Sequence, residues 1–166
     1  MEGVQPRAID GGQLTLVLVE DHAAVRDQIT IQLAKAGVEV VEAVGTMWEG
    51  EVAVRAHRPA VAVIDNRLPD GLGVDLCRRL SVDLPDVALI LHTGVVPKSL
   101  LIEAEQAGVR AVVAKSIRGT SLLEAVLVNG PARRAIRPAR PIASREEVSP
   151  NEVHADLPGA TGDGDR

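Results

Sequence analysis

Apolar residues in this chain gather in short dense runs, and between the runs they recur at helical spacing. Leu14–Val19 is dense in Leu and Val and stops at Glu20-Asp21. From Ala23 to Ala36, Val25, Ile29 and Leu33 recur at every fourth position. That spacing predicts an amphipathic helix, with Gly37 as its C-terminal cap. Val38–Ala43 reads as a second strand, Thr46 as the cap of a helix reaching about His57, and Arg58-Pro59 as the break after it. The third run, Val61-Ala62-Val63-Ile64, ends abruptly at Asp65 and gives way to Asn66-Arg67-Leu68-Pro69-Asp70-Gly71. A short apolar run bounded by turn formers predicts a strand buried on both faces.

Downstream, the pattern predicts a helix over Gly71–Ser81 with Leu72, Leu76 and Leu80 on one face, then a strand over Val87–Leu91. A helix opened by Pro97 runs to Ala107 and stops at Gly108; a strand over Arg110–Ala114 and a helix over Thr120–Val128 follow. Five short apolar strands alternating with five helices over residues 14–129 predict an α/β fold, a parallel sheet sandwiched between helix layers. The pattern fades outside that span. Residues 1–13 read as a flexible lead-in. Residues 131–145 hold five arginines and no acid, broken by Pro131, Pro138 and Pro141, whereas residues 146–166 hold six acids and one arginine. With few large apolar residues to bury, residues 130–166 are expected to form a disordered tail, first Pro/Arg-rich and then acidic.

Composition sharpens this picture in three places. The chain of 166 residues is 46% hydrophobic yet has no Phe, no Tyr and one Trp, so its core must be built from Val, Leu, Ile and Ala. Trp48, on the second helix, is expected to be a packing residue. A net charge of −5 argues against a generally nucleic-acid-binding body, and no DNA partner is expected. Cys77 is the single cysteine, which rules out an internal disulfide; a half-buried structural thiol is expected there. No signal segment or membrane-length apolar run is present, so a cytoplasmic protein without a membrane partner is expected.

The candidate chemistry sits where the strands end. In a parallel sheet the carboxyl edges share one crevice, which would collect Glu20 and Asp21 after the first strand, Asp65 after the third, Thr93 after the fourth and Lys115 after the fifth. Three crowded carboxylates demand a cation, and an all-oxygen set with room for water suits Mg²⁺. The arrangement has the logic of phosphoryl transfer to a carboxylate. Asp65 would be the nucleophile, Glu20, Asp21, Asp65 and the backbone carbonyl of Arg67 the metal ligands, and Lys115 and Thr93 the groups that bind phosphoryl oxygens. His22, His57 and His92 lie on different elements without ligand spacing and are expected to be satisfied or solvent-facing. Gly71-Leu72-Gly73 hints at a dinucleotide turn, but a third glycine is missing and the acidic first loop would repel a pyrophosphate.

Taken together, Val19-Glu20-Asp21-His22, Ile64-Asp65 through Gly71, His92-Thr93-Gly94 and Ala114-Lys115-Ser116 resemble the receiver domain of two-component response regulators. The closer likeness is to the branch that carries a helix-turn-helix output. The resemblance covers residues 14–129 and implies a flavodoxin-like, doubly wound five-stranded parallel sheet of order 2-1-3-4-5 with five helices. It also implies Mg²⁺-dependent phosphorylation of Asp65 by a sensor histidine kinase or phosphotransfer protein, slow hydrolysis of the phospho-aspartate, and movement of Thr93 that re-poses the face of the fourth helix, fifth strand and fifth helix, through which a homodimer could form. The chain is expected to act as a single-domain switch or relay intermediate, not as a turnover enzyme; Ser149-Pro150-Asn151-Glu152 resembles the opening of an output domain, but too few residues follow to complete one. Two departures stand out. The family's Tyr or Phe in the fifth strand is matched by Val112, and Ser116 follows Lys115 where many members have Pro. The alternative is therefore a degenerate receiver serving as a constitutive protein-binding module. Arg67 and Val95 occupy positions that in relatives tune dephosphorylation.

Overall fold

The computed structural model describes residues 12–116 and 120–130. Five strands, β1 (Leu14–Val19), β2 (Val38–Val44), β3 (Val61–Asp65), β4 (Ala88–Thr93) and β5 (Ala111–Ala114), form one sheet in the order β2-β1-β3-β4-β5. Every neighbouring pair is parallel. Helices α1 (Ala23–Lys35), α2 (Met47–His57), α3 (Gly73–Asp83), α4 (Lys98–Gln106) and α5 (Thr120–Asn129) make the connections. This is the doubly wound α/β fold expected from the alternation of elements.

Side-chain alternation along the strands divides the core in two. Val17 and Val19, Ala62 and Ile64, and Leu89 and Leu91 pack with α2, α3 and α4. Leu16 and Leu18, Val61 and Val63, Ala88 and Ile90, and Val113 pack with α1 and α5. Up to the carboxyl rim, β3 and β4 are apolar at every position and both rows are buried; each Val, Leu or Ile so buried stabilises the fold by about 1.5–3 kcal/mol.

The element boundaries shift where local chemistry outweighs periodicity. Gly71 and Leu72 do not begin α3; they pair with Arg67 and Leu68 in a two-residue antiparallel hairpin, and the helix starts at Gly73 and ends at Asp83. Leu72 accordingly faces outward instead of joining Leu76 and Leu80. Strand β4 runs through Thr93 because the carboxyl rim of β5 pairs with it there, and Pro97 caps α4 from outside. Trp48 is 69% exposed, so it is no packing residue, and Cys77 is fully buried where half-burial was expected. Burial pushes the Cys77 thiol up to about 12, which keeps it inert. Residues 1–11 and 131–166, the expected lead-in and tail, lie outside the described residues.

Candidate functional site

The row of side chains facing α1 and α5 continues to the carboxyl rim of the sheet, and there it turns polar. Glu20 follows Leu16 and Leu18, Asp65 follows Val61 and Val63, His92 follows Ala88 and Ile90, and Lys115 follows Val113. Strand register therefore delivers four polar groups, from four strands, to one side of one rim; Asp65 and His92 are direct partners in the ladder. Asp21, one residue later in the exposed first loop, joins them.

Lys115 Nζ lies 2.7 Å from Asp65 Oδ2 and 2.8 Å from Glu20 Oε2. Burial alone would lower the Lys115 pKa, but hydrogen bonds and charge from Asp65 and Glu20 outweigh it and hold the ammonium above the usual lysine range. Asp65 Oδ1 accepts the Arg67 backbone N–H at 3.0 Å, so both carboxylate oxygens of Asp65 are held. Glu20 is 1% exposed, with Oε1 accepting the His22 N–H at 3.2 Å. Its buried Oε2 is paired with the Lys115 ammonium, which it shares with Asp65.

Oxygen atoms of Glu20, Asp21 and Asp65 all lie within 4.8 Å of one another. One ammonium offsets only one of three negative charges, and a buried carboxylate that shares its counter-ion carries a desolvation cost. A hard divalent cation with oxygen ligands relieves both, so the donor set fits Mg²⁺.

The remaining expected site residue, Thr93, lies on the other row with Leu89 and Leu91. Its hydroxyl donates to the Val95 carbonyl at 3.3 Å, a long bond that yields readily. Thr93 lines a cleft of about 240 Å³ together with Asn66, Arg67, Val95, Ser99 and Glu103. His92 contradicts its expectation. It is neither satisfied nor solvent-facing: the ring is 6% exposed and Nδ1 has no partner. Burial, then the Lys115 charge, pushes its pKa down to about 4, with Asp65 opposing. Sequence reasoning also missed Asp70, whose carboxylate accepts the N–H groups of Met47 and Trp48 at the start of α2. Only the Asp-Gly turn hinted at it.

A parallel sheet with an acid cluster and a lysine on its carboxyl rim suits phosphoryl-transfer chemistry, and comparison with known proteins narrows the class. The model of the response regulator receiver domain matches residues 16–127, and the chain belongs to that family. The DNA-binding transcriptional activator DevR/DosR of Mycobacterium tuberculosis is 38% identical over 117 residues, covering 70% of this chain and 54% of that protein. The photosynthetic apparatus regulatory protein RegA of Cereibacter sphaeroides is 28% identical over 120 residues, covering 72% and 65%. The chain thus spans less than two thirds of either relative. Among solved structures, a CheY-like receiver domain protein from Methanospirillum hungatei superimposes with a TM-score of 0.65 at 26% identity, covering 69% of this chain and 91% of that one. A LuxR-family regulator from Aurantimonas gives the same TM-score at 23% identity, covering 69% and 83%, a likeness of fold. Among the described residues, no helix is long and apolar enough to cross a membrane.

Proposed function

We propose that this chain accepts a phosphoryl group on Asp65 from a sensor histidine kinase or phosphotransfer protein and acts as a signalling switch or relay intermediate. The observation that carries the reading is the Lys115 ammonium bridging Asp65 and Glu20 beside Asp21. Glu20, Asp21, Asp65 and the Arg67 carbonyl would hold Mg²⁺. When bound, the ion supplies charge neutralisation and alignment of the donor phosphate. A carboxylate oxygen of Asp65 attacks phosphorus; a P–O bond forms as the donor P–N bond breaks, and the electron pair returns to the leaving imidazole, which takes up a proton. Lys115 follows the new negative charge onto the phosphoryl oxygens, and Thr93 exchanges its long bond to Val95 for one to the same group. Leu101 and Ile102 of α4 with Leu127 and Val128 of α5 are exposed, which supports homodimerisation through the α4–β5–α5 face.

Incubation with acetyl phosphate and Mg²⁺ tests this by intact mass: one phosphoryl group should appear, and Asp65→Asn or chelation should abolish it. An unmodified wild-type mass overturns the reading. A second reading, a constitutive binding module, is favoured by Val112, which is half-buried against the α2–α4 side of the core where the family carries a ring. Beryllofluoride separates the two. NMR shifts confined to the pocket mean binding without switching, and shifts across residues 95–128 mean a working switch.

A further inference from the structure

Arg26 is the residue that the phosphoryl-transfer chemistry leaves unexplained. It stands in the first turn of α1, where its backbone N–H makes a 2.9 Å bond to the His22 carbonyl. A cation there has the wrong sign for a helix N-terminus, so helix stability does not account for it. Its guanidinium instead turns back to the loop before the helix, and Nη1 donates to the Glu20 backbone carbonyl at 2.7 Å.

The other side of Glu20's backbone is tied as well, for its N–H donates to the Val44 carbonyl at 2.9 Å. The following loop closes over the guanidinium: a Cβ built on Gly45 would stand 3.2 Å from Arg26 Nη1 and 3.9 Å from both Asp21 Cα and the Glu20 carbonyl oxygen. The Arg26 guanidinium thereby lies beside the Gly45 loop and is bonded to the loop that carries two of the three acids.

We infer that Arg26 is a positioning residue for the cation site: its charge-assisted bond fixes the Glu20–Asp21 backbone so that both carboxylates meet Asp65. The inference rests on the proposed Mg²⁺ site, and its sign separates it from plain electrostatics. A positive charge beside an acid cluster repels a cation, so charge alone predicts tighter Mg²⁺ binding when Arg26 is neutralised. Positioning predicts the opposite, because loosening a group that orients metal ligands costs affinity.

Calorimetric or NMR titration of the full chain with Mg²⁺ decides between them. Arg26→Met keeps the length and removes charge and donors, and should raise the Mg²⁺ dissociation constant about tenfold. Arg26→Lys, which restores a cation and one donor, should fall between Arg26→Met and the unaltered chain. An unchanged or lower dissociation constant in Arg26→Met overturns the assignment, including the case where only the Mg²⁺-free unfolding temperature drops. Should Arg26→Met fail to fold, Arg26→Lys carries the test, and an unchanged dissociation constant there overturns it. Absence of Mg²⁺ binding by the unaltered chain would remove the proposed function together with this inference, whereas binding lost in Asp21→Asn but indifferent to Arg26 removes the inference alone.

Discussion

The Asp70 carboxylate accepts the backbone N–H of Met47 at 2.6 Å, closing the start of α2 from the far side of the β3–α3 hairpin. A second bond, 2.9 Å from the Trp48 N–H, makes the cap bidentate. Thr46 caps the same end in the expected way: its Oγ1 accepts the Glu49 N–H at 3.1 Å, and Glu49 accepts the Thr46 hydroxyl at 2.9 Å. Burial would raise the Asp70 pKa, but the bonds from Met47 and Trp48 outweigh it and hold the carboxyl below its ordinary value. Asp70→Ala should cost about 1 kcal/mol of stability, the usual worth of an N-cap. The contribution is present above the unfolded carboxylate pKa and is lost as pH falls through the folded one. Urea unfolding at neutral pH, compared with about pH 3, should show the difference between wild type and Asp70→Ala shrinking in acid.

His92 gives the fold an acid sensitivity at milder pH. Its folded pKa of about 4 lies below the ordinary 6.5, so between those values the unfolded chain binds a proton that the folded chain refuses. Stability from this residue is therefore intact above about pH 6.5 and is lost progressively as pH falls to about 4. The full effect is on the order of 3 kcal/mol. His92→Leu, which matches the apolar row beneath it, should flatten the stability profile over that interval. An unaltered slope in His92→Leu would show that other groups set it.

How much of this was legible depended on whether the signal was periodic. The strands and helices were readable because both rows of each central strand are apolar and each helix shows one face; Asp65, Glu20 and Lys115 were readable because each interrupts such a row at its end. His92 was not. Its position continues the buried row of Ala88 and Ile90, but a polar residue near a strand end reads equally as buried or wet until the neighbouring strands are placed. Trp48 failed for a related reason: the start of α2 is held by Asp70 and Thr46 through its backbone, so its side chain need not pack. The hairpin at Arg67–Leu68 and Gly71–Leu72 was hidden because two-residue strands carry no period at all.

Gly73 shows the same limit in a single atom. Beside Gly71 it suggested a phosphate-binding turn, yet its role is steric: a Cβ there would lie 2.2 Å from the Asp65 carbonyl oxygen and 2.9 Å from Ile64 Cγ2. Backbone atoms cannot step aside as a flexible side chain can, and the displaced strand end is the one that presents Asp65. Gly73→Ala should destabilise by about 3 kcal/mol or more, at the upper end of overpacking costs. Thermal unfolding checks it. A mutant that melts with the wild type would mean the β3–α3 junction is more pliable than this packing allows.

Arg67 offers the most direct handle on the lifetime of the proposed phospho-aspartate, because its backbone and its side chain can be tested apart. The backbone N–H holds Asp65 Oδ1 and survives any substitution but proline, while the exposed side chain lines the cleft beside Thr93, Val95 and Glu103. A guanidinium at the mouth of that cleft can pair with phosphoryl oxygens and hinder an attacking water, both of which prolong the phospho-aspartate. Because the group is solvated, its worth is limited to about 0.6–1 kcal/mol, or about three- to fivefold in rate. Arg67→Ala should therefore shorten the phospho-Asp65 lifetime by that factor while leaving phosphorylation itself intact, and Arg67→Lys should lie between. The decay of phosphorylated protein after removal of acetyl phosphate measures it. Equal decay in Arg67→Ala and wild type would leave Arg67 with its backbone role alone, and would point to Val95 or Glu103 as the side chains that govern water at the site.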